Sequence, residues 1–416
     1  MRSGIRTIAR LALASFSVVF CALESPAKAE NWPQFLGPNR DGTYPGKLFQ
    51  NHSPEHAFPL SWKISVGEGF SGPVADQERV VIFHRLKNQE RLECRALVDG
   101  HTVWESDAST AYRDDFGFDE GPRATPAIGQ GCIVAMGAEG LTRCVELNTG
   151  KLVWSLDTQS VFGARKGFFG MASSPLIHGE AVFLTVGGQN GAGMVAASLK
   201  TGKILWKTLK DESGYASPTL MPKGDRSLLV NFTRSGLCAI DIETGNVLDQ
   251  FRWRSRSHAS VNAATPLVRG HEVFISASYE TGAALVDFSK EKFACVWQAD
   301  QTLSNHYATS VESDGLLYGF DGRQEQGPSL TCIEWRSGKP KWRKDGLGAG
   351  TLILASKTLL LLTERGELVL ANATGTGFKK LGRSQILGNA TRAHPALVDG
   401  RFLARDKHQM VCYDLR

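Results

Sequence analysis

Leu147-Asn148-Thr149-Gly150-Lys151-Leu152-Val153-Trp154 decides the fold, because the pattern returns. Thr201-Gly202-Lys203-Ile204-Leu205-Trp206 and Ser337-Gly338-Lys339-Pro340-Lys341-Trp342 repeat it, and Gly100-His101-Thr102-Val103-Trp104 is a degenerate earlier copy. Two copies have lost the Trp: Thr244-Gly245 leads to Asp249, and Thr374-Gly375 leads to Lys379. Trp297 closes a copy without the Gly. With Trp62, the equivalent positions are 62, 104, 154, 206, 249, 297, 342 and 379, which makes eight units. Self-similarity at this spacing marks a repeat architecture.

The second unit shows what one repeat contains. Arg123 to Ile128 reads as a short strand and Gly129-Gln130-Gly131 as a turn, followed by the β-rich run Cys132 to Met136. Gly137 to Gly140 turns the chain into Leu141 to Leu147, and Asn148-Thr149-Gly150 turns it into Lys151 to Trp154. Gly supplies the positive φ of a tight hairpin, and Asn or Asp ahead of it bonds the local backbone. Four antiparallel strands per unit is a propeller blade. The last unit, His394 to Leu415, supplies only three strands, while Pro59 to Ile64 is a lone strand with no blade before it. The expected fold is therefore all-β: an eight-bladed propeller of four antiparallel strands per blade, the last blade closed by the N-terminal strand. Closure removes the unpaired terminal edges; an open solenoid would show polar capping units instead.

Residues 1–29 read as a signal peptide: Arg2, Arg6 and Arg10, an apolar run from Leu11 to Leu23, then Ala27-Lys28-Ala29 as a cleavage site. That run is 13 residues, short of the roughly 20 that cross a bilayer. Phe20 ahead of Cys21 argues against lipoprotein processing. The expected organisation is signal peptide 1–29, N-terminal arm 30–58 and a single propeller 59–416, exported after cleavage near Ala29 and monomeric, with no transmembrane segment. Of the 47 Lys and Arg, four lie in the signal; of the 42 Asp and Glu, one does. So balanced a remainder gives no case for nucleic acid or an anionic membrane. Cys94, Cys144 and Cys332 each lie six residues before the repeat Gly, and Cys412 matches them in the last unit. Equivalent places in different blades are too far apart for a disulfide, so these read as small buried residues. Cys132, Cys238 and Cys295 fall outside that register, and one disulfide among them stays open.

The Leu-Asn-Thr-Gly-Lys-x-x-Trp pattern resembles the PQQ-like propeller repeats of bacterial quinoproteins and of the outer-membrane assembly lipoprotein that shares their fold. The opening Trp32-Pro33-Gln34-Phe35-Leu36-Gly37-Pro38-Asn39-Arg40-Asp41-Gly42 is similar to that of secreted PQQ-like propeller proteins. The resemblance implies that Trp62, Trp104, Trp154, Trp206, Trp297 and Trp342 dock blade on blade. Physical chemistry agrees, since one large aromatic per sheet fills the gap between neighbouring sheets.

Loops joining one blade's outer strand to the next blade's inner strand gather at one mouth of the channel. The inner strands begin at Thr125-Pro126, Ser174-Pro175, Ser217-Pro218 and Thr265-Pro266, with Gly72-Pro73, Ser310-Val311, Thr351-Leu352 and His394-Pro395 as variants. Two residues ahead lie Phe70, Arg123, Ala172, Tyr215, Ala263, Ala308, Ala349 and Arg392. Arg123 and Arg392 would suit a small anionic ligand, carboxylate or phosphate, bound bidentately. Alternatively they hold down the acidic run Asp114, Asp115, Asp119 and Glu120. Asn262, Asn305, His306, Tyr307 and Asn389 lie just upstream. The long loops from Asp107 to Arg123 and Asp157 to Ala172 carry Phe116, Phe118, Phe162, Phe168 and Phe169; they read as a binding surface or as a lid.

In the quinoprotein dehydrogenases, the resemblance implies a quinone stacked under a Trp and held near Ca²⁺ by carboxylate and amide oxygens. Trp253 is the candidate Trp, Asp119, Glu120 and Asn262 the candidate calcium ligands, and Arg123 and Arg392 the partners of the quinone carboxylates. The vicinal cysteine pair of many such enzymes is absent. No zinc-binding His spacing, nucleophile elbow or phosphate loop occurs. His258, His306 and His394 precede inner strands and form a weak candidate metal trio. The leading expectation is a non-catalytic scaffold meeting a protein partner or small anion at the channel mouth through Arg123, Arg392, Tyr215, Phe70, Asn262, His306 and Trp253. The alternative is a PQQ- and calcium-dependent dehydrogenase of alcohols or sugars.

Overall fold

Each repeat folds into a four-stranded antiparallel sheet, and the eight sheets make an eight-bladed propeller. The computed structural model describes residues 30–50, 58–76, 78–257 and 261–416. The stretch read as a signal, Met1 to Ala29 with Cys21, lies outside them, as does His258. In blade 2 the strands are Ala127–Gly129, Cys132–Met136, Leu141–Glu146 and Leu152–Asp157, from channel to rim. Blades 1 and 3 to 7 follow the same order, with inner strands beginning at Val74, Leu176, Thr219, Leu267, Val311 and Gly350. Blade 8 takes Ala396–Val398, Arg401–Arg405 and Gln409–Asp414 from the C-terminus and its outer strand, Leu60–Ser65, from the N-terminus. Trp62 there lies opposite Cys412. The ring closes as the incomplete last unit requires. Among the described residues only one short α-helix occurs, Thr158–Phe162, capped by the Asp157 carboxylate, and no helix is long and apolar enough to cross a membrane.

The repeat tryptophans dock neighbouring blades by one recurring contact. Trp62, Trp104, Trp154, Trp206, Trp297 and Trp342 each donate their indole N–H to a backbone carbonyl of the next blade, at Leu97, Leu147, Leu199, Ile242, Trp335 and Thr374. For all but Trp342, the turn glycine of that next blade lies against the ring. A Cβ on Gly202 would stand 2.8 Å from Trp154. The glycine is thus held by both its φ of +70° and the indole on its face.

The two units without Trp have different explanations. Asp249 bonds the next blade by accepting from the Phe293 amide at 2.7 Å. In blade 7 the equivalent residue is Gly382, opposite Leu370, and not Lys379: the turn from Thr374 to Phe378 is longer than its counterparts and shifts the count. Blade 8 has no turn for a Trp to reach there, because its third and fourth strands come from opposite ends of the chain.

Cys94, Cys144, Cys332 and Cys412 sit directly opposite Trp104, Trp154, Trp342 and Trp62 on the adjacent strand, with no exposure to solvent. The small side chain leaves room for the indole. All seven cysteines of the described residues are free thiols, including Cys132, Cys238 and Cys295.

The N-terminal arm is part of the core. Trp32 bridges Ala75 of blade 1, Pro33 accepts from the Ile128 amide of blade 2, and Arg40 reaches the Ser174 and Pro175 carbonyls of blade 3. Thr43–Tyr44 adds a parallel strand to Gly350–Ala355 of blade 7. Trp32 also stacks on His394 of blade 8, with ring centres 6.1 Å apart. Residues 32–44 therefore cross the channel against the inner strands of the propeller and plug it.

Candidate functional site

The first residues of the inner strands form a ring above the plug. The Gly72 amide donates to the Thr125 hydroxyl, Thr125 N–H to Ser174, Ser174 N–H to Ser217, Ser217 N–H to Thr265, and Thr265 N–H to Thr309, at 2.9 to 3.3 Å. Each blade thus satisfies a backbone donor of its neighbour, and the proline after most of these residues needs no donor of its own. The ring corrects one step of the sequence register. In blade 6 the ring residue is Thr309, two residues before the first strand residue Val311, as Thr125 is before Ala127. Ser310 occupies the proline position and only resembles the Ser-Pro step. The residue equivalent to Phe70, Arg123, Tyr215 and Arg392 is therefore Tyr307, not Ala308.

These residues wall a cavity of about 230 Å³ at the mouth. Phe70, Arg123, Tyr215, His306, Tyr307 and Arg392 all line it, and Phe35 of the plug contributes from the arm. Arg123 and Arg392 stand on either side of Phe70, each guanidinium 5.5 to 5.6 Å from the ring centre. Neither is a free anion clamp. Arg123 pairs with the solvent-inaccessible Asp114 carboxylate at 3.0 Å and bonds the Asp119 carbonyl and Tyr112 hydroxyl. Arg392 pairs with Glu364 at 3.0 Å, and Tyr307 donates to the same carboxylate at 2.5 Å. Burial, with Glu364 beside it, holds the Tyr307 phenol well above its usual range. Lys407 also lies over Phe70 and reaches Asp119 at 3.7 Å. Each cation at the mouth thus has its carboxylate.

The two long loops clasp one another and form one side of the rim. Lys166 bonds the Arg113 carbonyl and Asp115, and the Tyr215 hydroxyl accepts from the Phe168 and Phe169 amides. Phe116 packs on Phe169, with ring centres 5.2 Å apart, and Phe169 meets Tyr215 edge-on. Phe118 and Phe169 enter the cavity wall, whereas Phe116 stays 54% exposed. The loops border the opening without closing it.

Several residues named from the sequence stand elsewhere. Asn262 is buried and spends its amide N–H groups on the Thr233 and Trp253 carbonyls. Trp253 is buried in the hydrophobic core of blades 4 and 5, stacked on Phe251, and does not line the cavity. Asp119 accepts from the Gly121 amide, and Glu120 faces Arg85 and Arg113. These would-be ligands share no centre, and among the described residues no three His, Cys, Asp or Glu side chains are placed to hold a metal ion. Both His394 ring nitrogens face backbone carbonyls, of Pro395 and Leu352, and His306 packs edge-on against Tyr279. The residues do not fit a quinone stacked under Trp253 beside calcium.

Sequence reasoning missed Phe35, Tyr279 and Glu364. The strict Trp-Pro-Gln-Phe opening was the available signal for Phe35, because a rigid motif in a supposed arm calls for a packed environment. Nothing local marked Tyr279 or Glu364, which arrive from second-strand and third-strand hairpins.

A family model described as outer membrane protein assembly factor BamB matches residues 88–344. Among curated proteins, none matches this chain by sequence. Among solved structures, BamB from Moraxella catarrhalis superposes with a TM-score of 0.65 at 14% identity, over 87% of this chain and 98% of that one. Quinohemoprotein alcohol dehydrogenase from Comamonas testosteroni gives 0.64 at 12% identity, over 93% and 80%. The computationally designed Ika8 protein gives 0.60 at 13%, over 90% and 99%. Such identities speak to the fold alone, and the fold serves an assembly factor and an alcohol dehydrogenase equally well.

Proposed function

We propose, for a chain that belongs to the outer membrane protein assembly factor BamB family of PQQ-like propellers, a non-catalytic binding function: its channel mouth takes an apolar or aromatic side chain from a segment of a protein partner. The observation that carries this reading is the mouth itself. It is small, aromatic and closed from below by the chain's own Phe35. At about 230 Å³ it falls below the roughly 300 to 1,000 Å³ of sites for drug-sized ligands and suits one or two anchoring side chains. The exposed Phe116, Phe118 and Phe168 extend the apolar surface outward, where a partner chain would continue. With Arg123 and Arg392 already neutralised, the mouth offers shape and apolar contact more than charge. The family's description as an assembly factor is one of a protein that works on other proteins, and we place this chain outside the cytoplasm, exported by its first 29 residues and working as a monomer.

A photo-crosslinking residue at position 116 in the native cells, followed by reconstitution of the captured pair from purified components, tests the reading. Saturable binding that weakens at least about tenfold with Phe118→Asp is expected, since a central aromatic anchor is worth 1.4 kcal/mol or more. A reconstituted pair indifferent to Phe118→Asp would sink it. In parallel, PQQ with Ca²⁺ is expected to leave the quinone absorbance and dye-linked oxidation of alcohols and sugars unchanged. Saturable binding with turnover would instead restore the dehydrogenase.

A further inference from the structure

A second cavity, of about 320 Å³, lies farther along the inner strands of blades 3 and 4, on the other side of the plug. Its walls are Gln34 and Pro38 to Arg40 of the arm, Leu176 to His178 of blade 3, and Thr219 and Leu220 of blade 4. Arg40 is 2% exposed. Its guanidinium donates to the Gln34 side-chain oxygen at 3.1 Å, the Pro175 carbonyl at 2.9 Å and the Ser174 carbonyl at 3.3 Å. All three acceptors are neutral, and the buried Nε has no partner. Among the described residues no carboxylate pairs with it. The adjacent Asp41 turns its carboxylate to the Thr43 amide and hydroxyl.

Carbonyl dipoles stabilise a cation without neutralising it, and a buried charge left unpaired is among the costlier features a fold can carry. Burial lowers the Arg40 pKa to about 9, so the group is still a cation at neutral pH. Every cation at the mouth has its carboxylate, and Arg40, more deeply buried than any of those, has none. What it does have is a solvent-connected cavity at its side, with His178 on the rim and the Thr219 side chain on the wall.

We propose that this second cavity is a binding site for a small oxyanion, a carboxylate or a tetrahedral phosphate or sulfate, with Arg40 as its cation. The ligand supplies the negative charge that the guanidinium lacks. The planar guanidinium fork is the group best shaped for such partners. The site is independent of the mouth, so a failure here leaves the mouth reading intact, and the reverse also holds.

The test is thermal unfolding of the purified full chain in sodium phosphate, sulfate or acetate against sodium chloride of equal ionic strength. Wild type is expected to gain about 2 °C or more, saturably, in at least one oxyanion; a response to acetate marks a carboxylate site, and one to phosphate or sulfate a tetrahedral one. Arg40→Met should abolish the gain. Should that variant fail to fold, His178→Glu decides, since a carboxylate on the rim competes with the anion: loss of the response supports the site, and a wild-type response overturns it. Equal melting in all four salts also overturns it.

Discussion

Trp154 and Gly202 hold two blades together from opposite sides of one contact: the indole N–H donates at 2.7 Å to Leu199, three residues before the glycine, and the glycine rests on the ring. Loss of either partner damages the same seam. Trp154→Ala is expected to cost about 3 to 5 kcal/mol by denaturant unfolding, as a core truncation does. Gly202→Ala meets both the ring and the strained φ and should cost at least about 1 kcal/mol. The double variant should cost less than the sum of the two, because the alanine methyl has no indole to strike once Trp154 is gone.

Asp249 tests the seam where Trp is missing. Asp249→Ala removes the acceptor of the Phe293 amide and should cost about 1 to 3 kcal/mol by urea denaturation. Asp249→Asn keeps an oxygen in place and should recover most of that loss.

Arg123 and Asp114 are a nearly inaccessible pair. Arg123→Met strands a buried carboxylate and should destabilise by about 3 to 5 kcal/mol. Arg123→Met with Asp114→Asn should restore most of it. Melting temperatures of the two variants check this, and equal values would mean that the pair is not the source of the loss.

His394 carries the pH dependence of the plug. Burial pushes its pKa down to about 4, below the roughly 6.5 of the unfolded chain. Between these values the unfolded state binds a proton that the fold excludes, so stability falls as pH drops from 6.5 towards 4 and is fully retained above 6.5. The full window amounts to about 3 kcal/mol. Unfolding free energies measured across pH 4 to 7 should show this slope, and His394→Gln should reduce it, leaving the smaller share of His84 and His306, whose pKa values burial also lowers. Fluorescence of Trp32, stacked on the imidazole, should report release of the arm in the same range.

The blade count, the closure and the docking role of the tryptophans were legible because the repeat is written once per sheet, in residues with strong local preferences. The mouth was half legible. Phe70, Arg123, Tyr215 and Arg392 were found by equivalence, and Tyr307 was misplaced by one residue because Ser310 imitates the serine of a Ser-Pro step. That Arg123 would be spent on the acidic run was legible as the alternative to an anion clamp, because Asp114 shares its loop; the partner of Arg392 was not, since Glu364 reaches it from another hairpin. Trp253 misled for a related reason: an unpaired Trp outside the repeat looks functional, and only packing shows that it fills the core. The plug was the largest omission, because its rigid opening motif calls for a packed environment but a segment without strand periodicity does not say which blades supply it.

The plug and the closing strand also set an order of events. Tyr44 bonds Gly400, 356 residues later, and Leu60 pairs with Tyr413. Tyr44 and Leu60 therefore wait for partners near the other end of the chain. Until the final strands exist, Leu60–Ser65 has no sheet to join, and the eighth blade lacks its three inner strands. Contacts so distant in sequence make closure slow, so the ring is expected to shut only after its blades have formed.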